Sequence, residues 1–296
     1  MPSSSFAHLT DRALIRVAGE DASHFLQNLV TVDIDDVDKS GAGASALLTP
    51  QGKILFDFLI YANDQGYLVD APAATAGDLL KRLGFYRLRA KVELEILPEN
   101  IGVFAVWGKP AEIPAAITSV ADPRLADLGQ RITGPVEELK QALGDGEEDP
   151  AAYEAHRIEL AVPEGLKDYD YSDIFPHDAD LDQLNGVSFS KGCYVGQEVV
   201  SRVHHRGTAR KRFLPVQGDS ALAEKGASIT AGGKSIGTTG SSTQIEDRHV
   251  GLALLRLDKV RQAHDNDTPI LCGDTKVQVS LPAWAGFSWP DTNATD

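Results

Sequence analysis

Short runs of branched and aromatic residues alternate with helical patches along the first two thirds of the chain. The last third changes to closely spaced strands. ALIRVAG (13–19) has the texture of a strand, and EDASHFLQNLV (20–30) predicts a helix capped by Asp21, with Phe25, Leu26 and Leu29 on its apolar face. In ASALLTPQGKILFDFLIYAN (44–63), Pro50-Gln51-Gly52 supplies a reversal, and Ile54, Phe56, Phe58 and Ile60 alternate as strand residues do. GYLVDA, KVELEILP and IGVFAVWG add strands, and ATAGDLLKRLGFYRLRA (74–90) a helix. The turns are hairpin-like, so the pattern predicts an antiparallel α+β fold rather than a doubly wound parallel sheet.

GDGEEDP (144–150) reads as an acidic surface loop, and PAAYEAHRIELAV (150–162) as a helix with Tyr153, His156 and Leu160 near one face. From Arg212 onward, RFLPVQG, ASITAGGKSIGTTGSST, HVGLALLRL and KVQVSL are short glycine-rich strands that predict a small β-barrel or sandwich. These textures divide the chain into residues 1–206, a mixed region in two interleaved α+β parts, a barrel over 207–290 and a frayed tail over 291–296.

A length of 296 residues suits about two domains. Twenty-eight basic against 43 acidic side chains give a net charge of −15, which disfavours direct binding to a phosphate backbone. No apolar run reaches the ~20 residues of a membrane helix, and the opening MPSSSFAHLTDR lacks the features of a secretory or matrix-targeting leader. Two cysteines are too few for a disulfide framework or a thiolate zinc site, so a reducing compartment and no permanently bound metal are expected. Cytoplasm is the expected location, or the mitochondrial matrix in a eukaryote.

The segment around Cys193 carries the chemistry. Gly192 and Gly196 bracket the cysteine and predict a sharp path into a helix over QEVVSRVHH, where Glu198 and Arg202 form an i,i+4 pair. A helix N-terminus and Lys191 nearby would both stabilise a thiolate. Spacing alone does not separate that reading from a buried small hydrophobe. Cys272, among strand residues, reads as packing. RVHHRGTARKR (202–212) concentrates Arg202, Arg206, Arg210, Lys211 and Arg212 with His204 and His205, either a solvated run or a holder of an anion such as a polyglutamate tail, a phosphate or an acidic surface.

Two motif fragments fail on their own terms. GGKS (232–235) lies in strand-like surroundings without the first glycine of a phosphate loop, and DADLD (178–182) has Gln183 and Phe189 where a calcium loop needs Gly and Glu. The acidic stretch from Asp168 to Asp182 otherwise reads as solvated loop.

Lys191-Gly192-Cys193-Tyr194-Val195-Gly196-Gln197-Glu198, followed by Arg202, resembles the signature of the YgfZ family, folate-binding proteins related to the T-protein (aminomethyltransferase) of the glycine cleavage system. FLQNLVTVDI, LLTPQGKILFDFLIY and FPHDADLDQLNGVSFSKG extend the similarity over most of the chain. The resemblance implies a GcvT/YgfZ-like α+β fold of antiparallel sheets and helices around a central tetrahydrofolate channel, with a C-terminal β-barrel. It makes Cys193 and Lys191 the working groups and implies partners among iron–sulfur assembly or client proteins, the role of the family's mitochondrial members. Arg157-Ile158-Glu159 matches the R-x-E of T-proteins, so Glu159 is the candidate for the carboxylate that accepts the pterin N–H pair. One departure speaks against aminomethyl transfer: Asp70 stands where T-proteins have Asn, and Asp78 falls one residue out of step with their aspartate. The expectation is therefore a folate-binding accessory protein for iron–sulfur cluster assembly or repair rather than a conventional enzyme. A folate-dependent one-carbon transferase and a tRNA-modification factor are the alternatives.

Overall fold

A computed structural model describes residues 5–109, 118–207 and 209–290. The frayed tail and its N-A-T triplet, expected at 291–296, lie outside the described residues. The chain forms two compact units, one from residues 1–51, 55–153 and 184–197, the other from 52–54, 154–183 and 198–296.

In the first unit, β1 (Ser5–His8) and β2 (Arg12–Ala18) precede two short helices, α1 (Ala22–Gln27) and α2 (Ile34–Ser40). They are followed by β3 (Ala42–Leu48), β4 (Ile54–Asn63), β5 (Gly66–Pro72), helix α3 (Ala73–Arg87) and β6 (Glu93–Ile96). β7 (Ile101–Trp107), β8 (Thr118–Ala121), β9 (Gln130–Pro135) and helix α4 (Val136–Leu143) complete this part. Two sheets result, in the orders β3-β4-β5-β2-β6 and β1-β7-β9-β8. Every pairing with a described register in them is antiparallel, as the hairpin-like turns require.

Periodicity explains α3: Ala76, Leu79 and Leu83 form its buried stripe, against β2, β5 and β6. α1 departs from expectation. Asp21 makes no cap, because its carboxylate accepts the Lys91 amide at 2.7 Å, and the helix stops before Leu29. α2, which periodicity did not announce, is capped by Asp33 accepting from the Asp35 amide and carries Ile34 and Val37 inward. The 144–150 loop is tied down by Glu148, whose amide donates to the Phe6 carbonyl at 2.7 Å.

Behind β9 lies a buried charge network. The Asp122 carboxylate accepts from Arg124 at 2.8 and 3.0 Å and from Arg131 at 3.1 Å, while Arg131 also donates to the Tyr153 hydroxyl at 2.8 Å. Burial pushes the Asp122 carboxyl up, but the two guanidiniums outweigh it and bring it down to about 2 from 3.8. The unfolded chain therefore takes the proton first. The stabilisation is complete above about pH 4 and disappears as the pH falls through 2. Asp122→Asn is expected to remove this part of the acid sensitivity, about 2 kcal/mol between pH 4 and 2, in urea titrations of the variant and parent.

The second unit contains helix α5 (Pro150–Glu159) from its fifth residue onward and helix α6 (Gln197–Arg206) from its second. It then adds β10 (Lys211–Gly218), β11 (Ser228–Ala231), β12 (Lys234–Ile245), β13 (Arg248–Arg256), α7 (Leu257–Asp265), β14 (Ile270–Cys272) and β15 (Thr275–Val279). The six strands close into a barrel in the order β10-β13-β12-β11-β14-β15, around Leu214, Ile229, Leu255, Val260 and Cys272. The GGKS residues occupy the β11–β12 turn, strand on both sides. The compact unit starts earlier in the chain than the expected boundary near 207, because residues 154–183 are bolted to the barrel by charge. Arg157 and Asp168 both bond Ser241, and Arg212 bonds Asp180 and Asp182. The stretch Asp168–Asp182, expected as solvated loop, thus supplies buried counter-ions: Asp168 and Asp180 are 4% and 0% exposed. No helix among the described residues is long and apolar enough to cross a membrane.

Candidate functional site

The approach to Cys193 is anchored before the cysteine is reached. Thr31 donates its hydroxyl to the Gly186 carbonyl at 2.6 Å, and the Ser188 amide donates to the Thr31 carbonyl at 2.9 Å. Lys191 then turns inward, and its ammonium donates to the carbonyls of Val30 and Val32 at 2.8 and 2.6 Å. Burial pulls this amine down to about 8, against the opposing pull of Asp33 and Asp35. Lys191 was expected as the thiolate's charge partner. Its two hydrogen bonds instead fasten the loop to the segment between α1 and α2.

Tyr194 is the second anchor. It is 7% exposed, with the Lys191 ammonium 5.4 Å from its ring centroid. Its hydroxyl is buried without a hydrogen-bond partner among the described residues, and burial raises its pKa to about 12. Between these two inward side chains, Gly192 and Cys193 are exposed. Cys193 is therefore a free thiol presented to solvent on a loop fixed on both sides, not a buried hydrophobe. Gly196 adopts φ 82°, a left-handed conformation that turns the chain into α6. Gln197 opens that helix, and Glu198 and Arg202 pair at 3.3 Å on its exposed face. Cys193 precedes the helix by four residues.

Ser188 and Ser190, just ahead of the motif, line a cavity of about 530 Å³ together with Asp33, Asp36 and Asp122. The other cysteine is unlike the first: Cys272 is 1% exposed in the barrel core, and its sulfur accepts the Ala223 amide at 3.3 Å.

Glu159 is the last residue of α5. Two residues earlier, Arg157 points into the second unit and is fully buried, and the helical repeat places Glu159 on the opposite, half-exposed side. Its carboxylate accepts from Arg248 at 3.4 Å, which offsets the unfavourable position of an anion at a helix C-terminus. The carboxylate is thus an exposed acid at a helix end, paired only with a half-exposed arginine among the described contacts.

The two acids weighed for transfer chemistry lie elsewhere. Asp70 is fully buried, accepting from Arg12 at 2.7 Å and from the Tyr61 hydroxyl at 2.6 Å. Asp78 is exposed on the side of α3 opposite its buried stripe. Periodicity could not reveal these partners, since Arg12 and Asp70 stand 58 residues apart.

An exposed thiol on a fixed loop suits a soft ligand for iron or a nucleophile toward sulfur. Comparison with known proteins places the chain among relatives in sequence and in fold. Residues 210–287 match the CAF17 C-terminal β-barrel domain. The chain is 34% identical to the human mitochondrial iron–sulfur cluster assembly factor IBA57, over 86% of this chain and 78% of that protein. The mouse protein of that name is 33% identical over the same shares, and the Neurospora crassa homolog 33% identical over 70% of this chain and 52% of its own length. Among solved structures, the glycine cleavage system aminomethyltransferase T from Bartonella henselae superposes with a TM-score of 0.75 over 95% of this chain and 85% of its own, at 17% identity. The chain thus has the T-protein fold.

Proposed function

Because the chain belongs to the family of IBA57 iron–sulfur cluster assembly factors, we propose that it serves in the assembly or repair of iron–sulfur clusters in client enzymes, as a folate-binding relative of the YgfZ proteins. The observation that carries the reading is the exposed Cys193 thiol, held out between the buried Lys191 and Tyr194. Thiolates are the usual protein ligands of iron in such clusters, and the cluster is cargo here. The loop does the positioning: Lys191 and Tyr194 hold the backbone so that the sulfur meets a partner without a search through conformers. The proposed partners are the assembly machinery and its clients, in the bacterial cytoplasm or, in a eukaryote, the mitochondrial matrix.

Tetrahydrofolate is the proposed ligand, with the half-exposed Glu159 carboxylate as acceptor for its pterin N–H groups. When bound, it supplies a reduced pteridine ring.

Expression in cells lacking their own family member tests the thiol. The parent protein is expected to restore activity to a cluster-dependent enzyme, and Cys193→Ser, at equal protein level, to fail. Full rescue by the serine variant removes thiol chemistry from the proposal. Calorimetry with tetrahydrofolate tests the ligand. Glu159→Gln is expected to weaken binding by about ten-fold or more, the worth of a charged hydrogen-bond pair. Equal affinity discards Glu159, and no heat with the parent protein discards folate.

A further inference from the structure

The end of α3 carries a charge opposite in sign to that of the whole chain. Residues 79–92 hold Lys81, Arg82, Arg87, Arg89 and Lys91 and no acid, in a chain of net charge −15. Lys91 pairs with Glu20 at 2.6 Å. Lys81, Arg82, Arg87 and Arg89 are exposed, and their side chains make no ion pair or hydrogen bond among the described residues; Asp78, one turn earlier on the helix, bonds none of them. Between these cations stand Phe85 and Leu88, 62% and 88% exposed, the two most exposed large hydrophobic side chains among the described residues. The stripe Ala76, Leu79, Leu83 is buried, and the helical repeat gathers Lys81, Arg82 and Phe85 on the outer face.

Folding alone does not explain this surface. A helix C-terminus favours a cation such as Arg87, but it gives no reason for two apolar side chains in water. Leu88 closes the helix at φ 44° and ψ −106°, a left-handed conformation that costs free energy for a bulky residue and that glycine adopts freely. No burial offsets that cost, since Leu88 is almost wholly in solvent. Arg87, Leu88 and Arg89 line a hollow of about 460 Å³; of its two acids, Glu20 and Glu93, the first is already held by Lys91. Arginine and aromatic side chains are the types enriched where proteins meet. A nucleic-acid backbone would run on past the patch into the field of a chain with net charge −15, and it offers Leu88 no pocket. A protein partner need be acidic only where it touches.

We propose that the end of α3, residues 81–91, docks an acidic protein surface that carries an apolar pocket. Lys81, Arg82, Arg87 and Arg89 face its carboxylates, and Phe85 and Leu88 enter the pocket. The inference deepens the assembly reading and rests on it for one point, that the partner belongs to the assembly machinery or its clients.

Photo-crosslinking of the full chain, expressed in cells lacking their own family member, tests the surface. The probe is p-benzoylphenylalanine in place of Phe85, and mass spectrometry identifies the joined peptide. The expected adduct is with a protein segment rich in Asp and Glu. Arg87→Glu together with Arg89→Glu is expected to cut its yield by about ten-fold with the melting temperature unchanged, and lysines in place of the partner's carboxylates to bring it back. Leu88→Gly is expected to lower the yield while melting no lower than the parent, a combination that a leucine of purely structural role would not give. An adduct with RNA, with phospholipid, with a second copy of the chain or with a segment lacking acids overturns the proposal. An adduct that survives both arginine changes overturns it too, as does no adduct at all. Cys193→Ser is expected to leave the adduct in place. An acidic partner from outside cluster assembly keeps the surface and removes the assembly reading, whereas rescue of a cluster-dependent enzyme without any adduct keeps that reading and removes the surface.

Discussion

Replacing Arg157 by alanine is expected to destabilise the chain by roughly 3–5 kcal/mol, the cost of leaving a buried charge without its partner. Its side chain is fully buried, and the guanidinium donates to Asp168 at 2.7 Å, to the Val162 carbonyl, to Glu154 at 3.0 and 3.3 Å and to Ser241 at 2.9 Å. Asp168 in turn accepts the Glu164 and Ser241 amides, both at 2.8 Å. Removal of the arginine strands this carboxylate in the interior. The double variant Arg157→Met, Asp168→Leu is expected to cost less than the sum of the two single changes, since it removes both charges together. Arg202→Ala, which breaks only the exposed pair with Glu198, is expected to change stability by no more than about 0.5 kcal/mol. Urea denaturation of these three variants and of the single changes Arg157→Met and Asp168→Leu measures all these differences.

The second large effect is expected at Gly129, which adopts φ 85° where the chain returns into β9. A Cβ placed there would stand 2.1 Å from the Val106 carbonyl oxygen and 2.9 Å from the Trp107 Cα. The obstruction is the backbone of β7, the ladder partner of β9, so no side chain can swing away. Gly129→Ala thus combines a disfavoured backbone with an immovable clash, and at least ~3 kcal/mol of destabilisation is expected. Gly77→Ala makes the contrast. Gly77 lies inside α3, where a Cβ meets nothing within 4 Å, so this change is expected to stabilise by about 1 kcal/mol. Chemical denaturation of both variants in parallel checks the opposite signs.

What could be read ahead of the structure was local. The stripe Ala76, Leu79, Leu83, the alternation after Gly52 and the close strands after Arg212 each encode an element in neighbouring residues. The Cys193 loop was legible as a motif, but its architecture was not. Nothing near Lys191 announces that its ammonium will bond carbonyls 159 and 161 residues away. The same distance hid the charge centres. Arg157 and Asp168 stand 11 residues apart and meet Ser241 across more than 70, so the acidic stretch that begins at Asp168 read as solvated loop although the folded chain buries its first carboxylate. α2 was a different failure, because Asp33 ahead of Ile34 and Val37, with Gly41 behind, is a capped helix in miniature too short for a periodicity to register.

The unequal fates of the two sulfurs bear on handling. Cys272 is sealed in the barrel core while Cys193 faces solvent, so an oxidised Cys193 finds no accessible companion within its own chain. Air or peroxide leads it outward, to glutathione, to a sulfenic acid or to a second copy of the protein. A preparation kept without reductant should accumulate covalent dimers that dithiothreitol dissolves, and its inactivity would report storage rather than sequence.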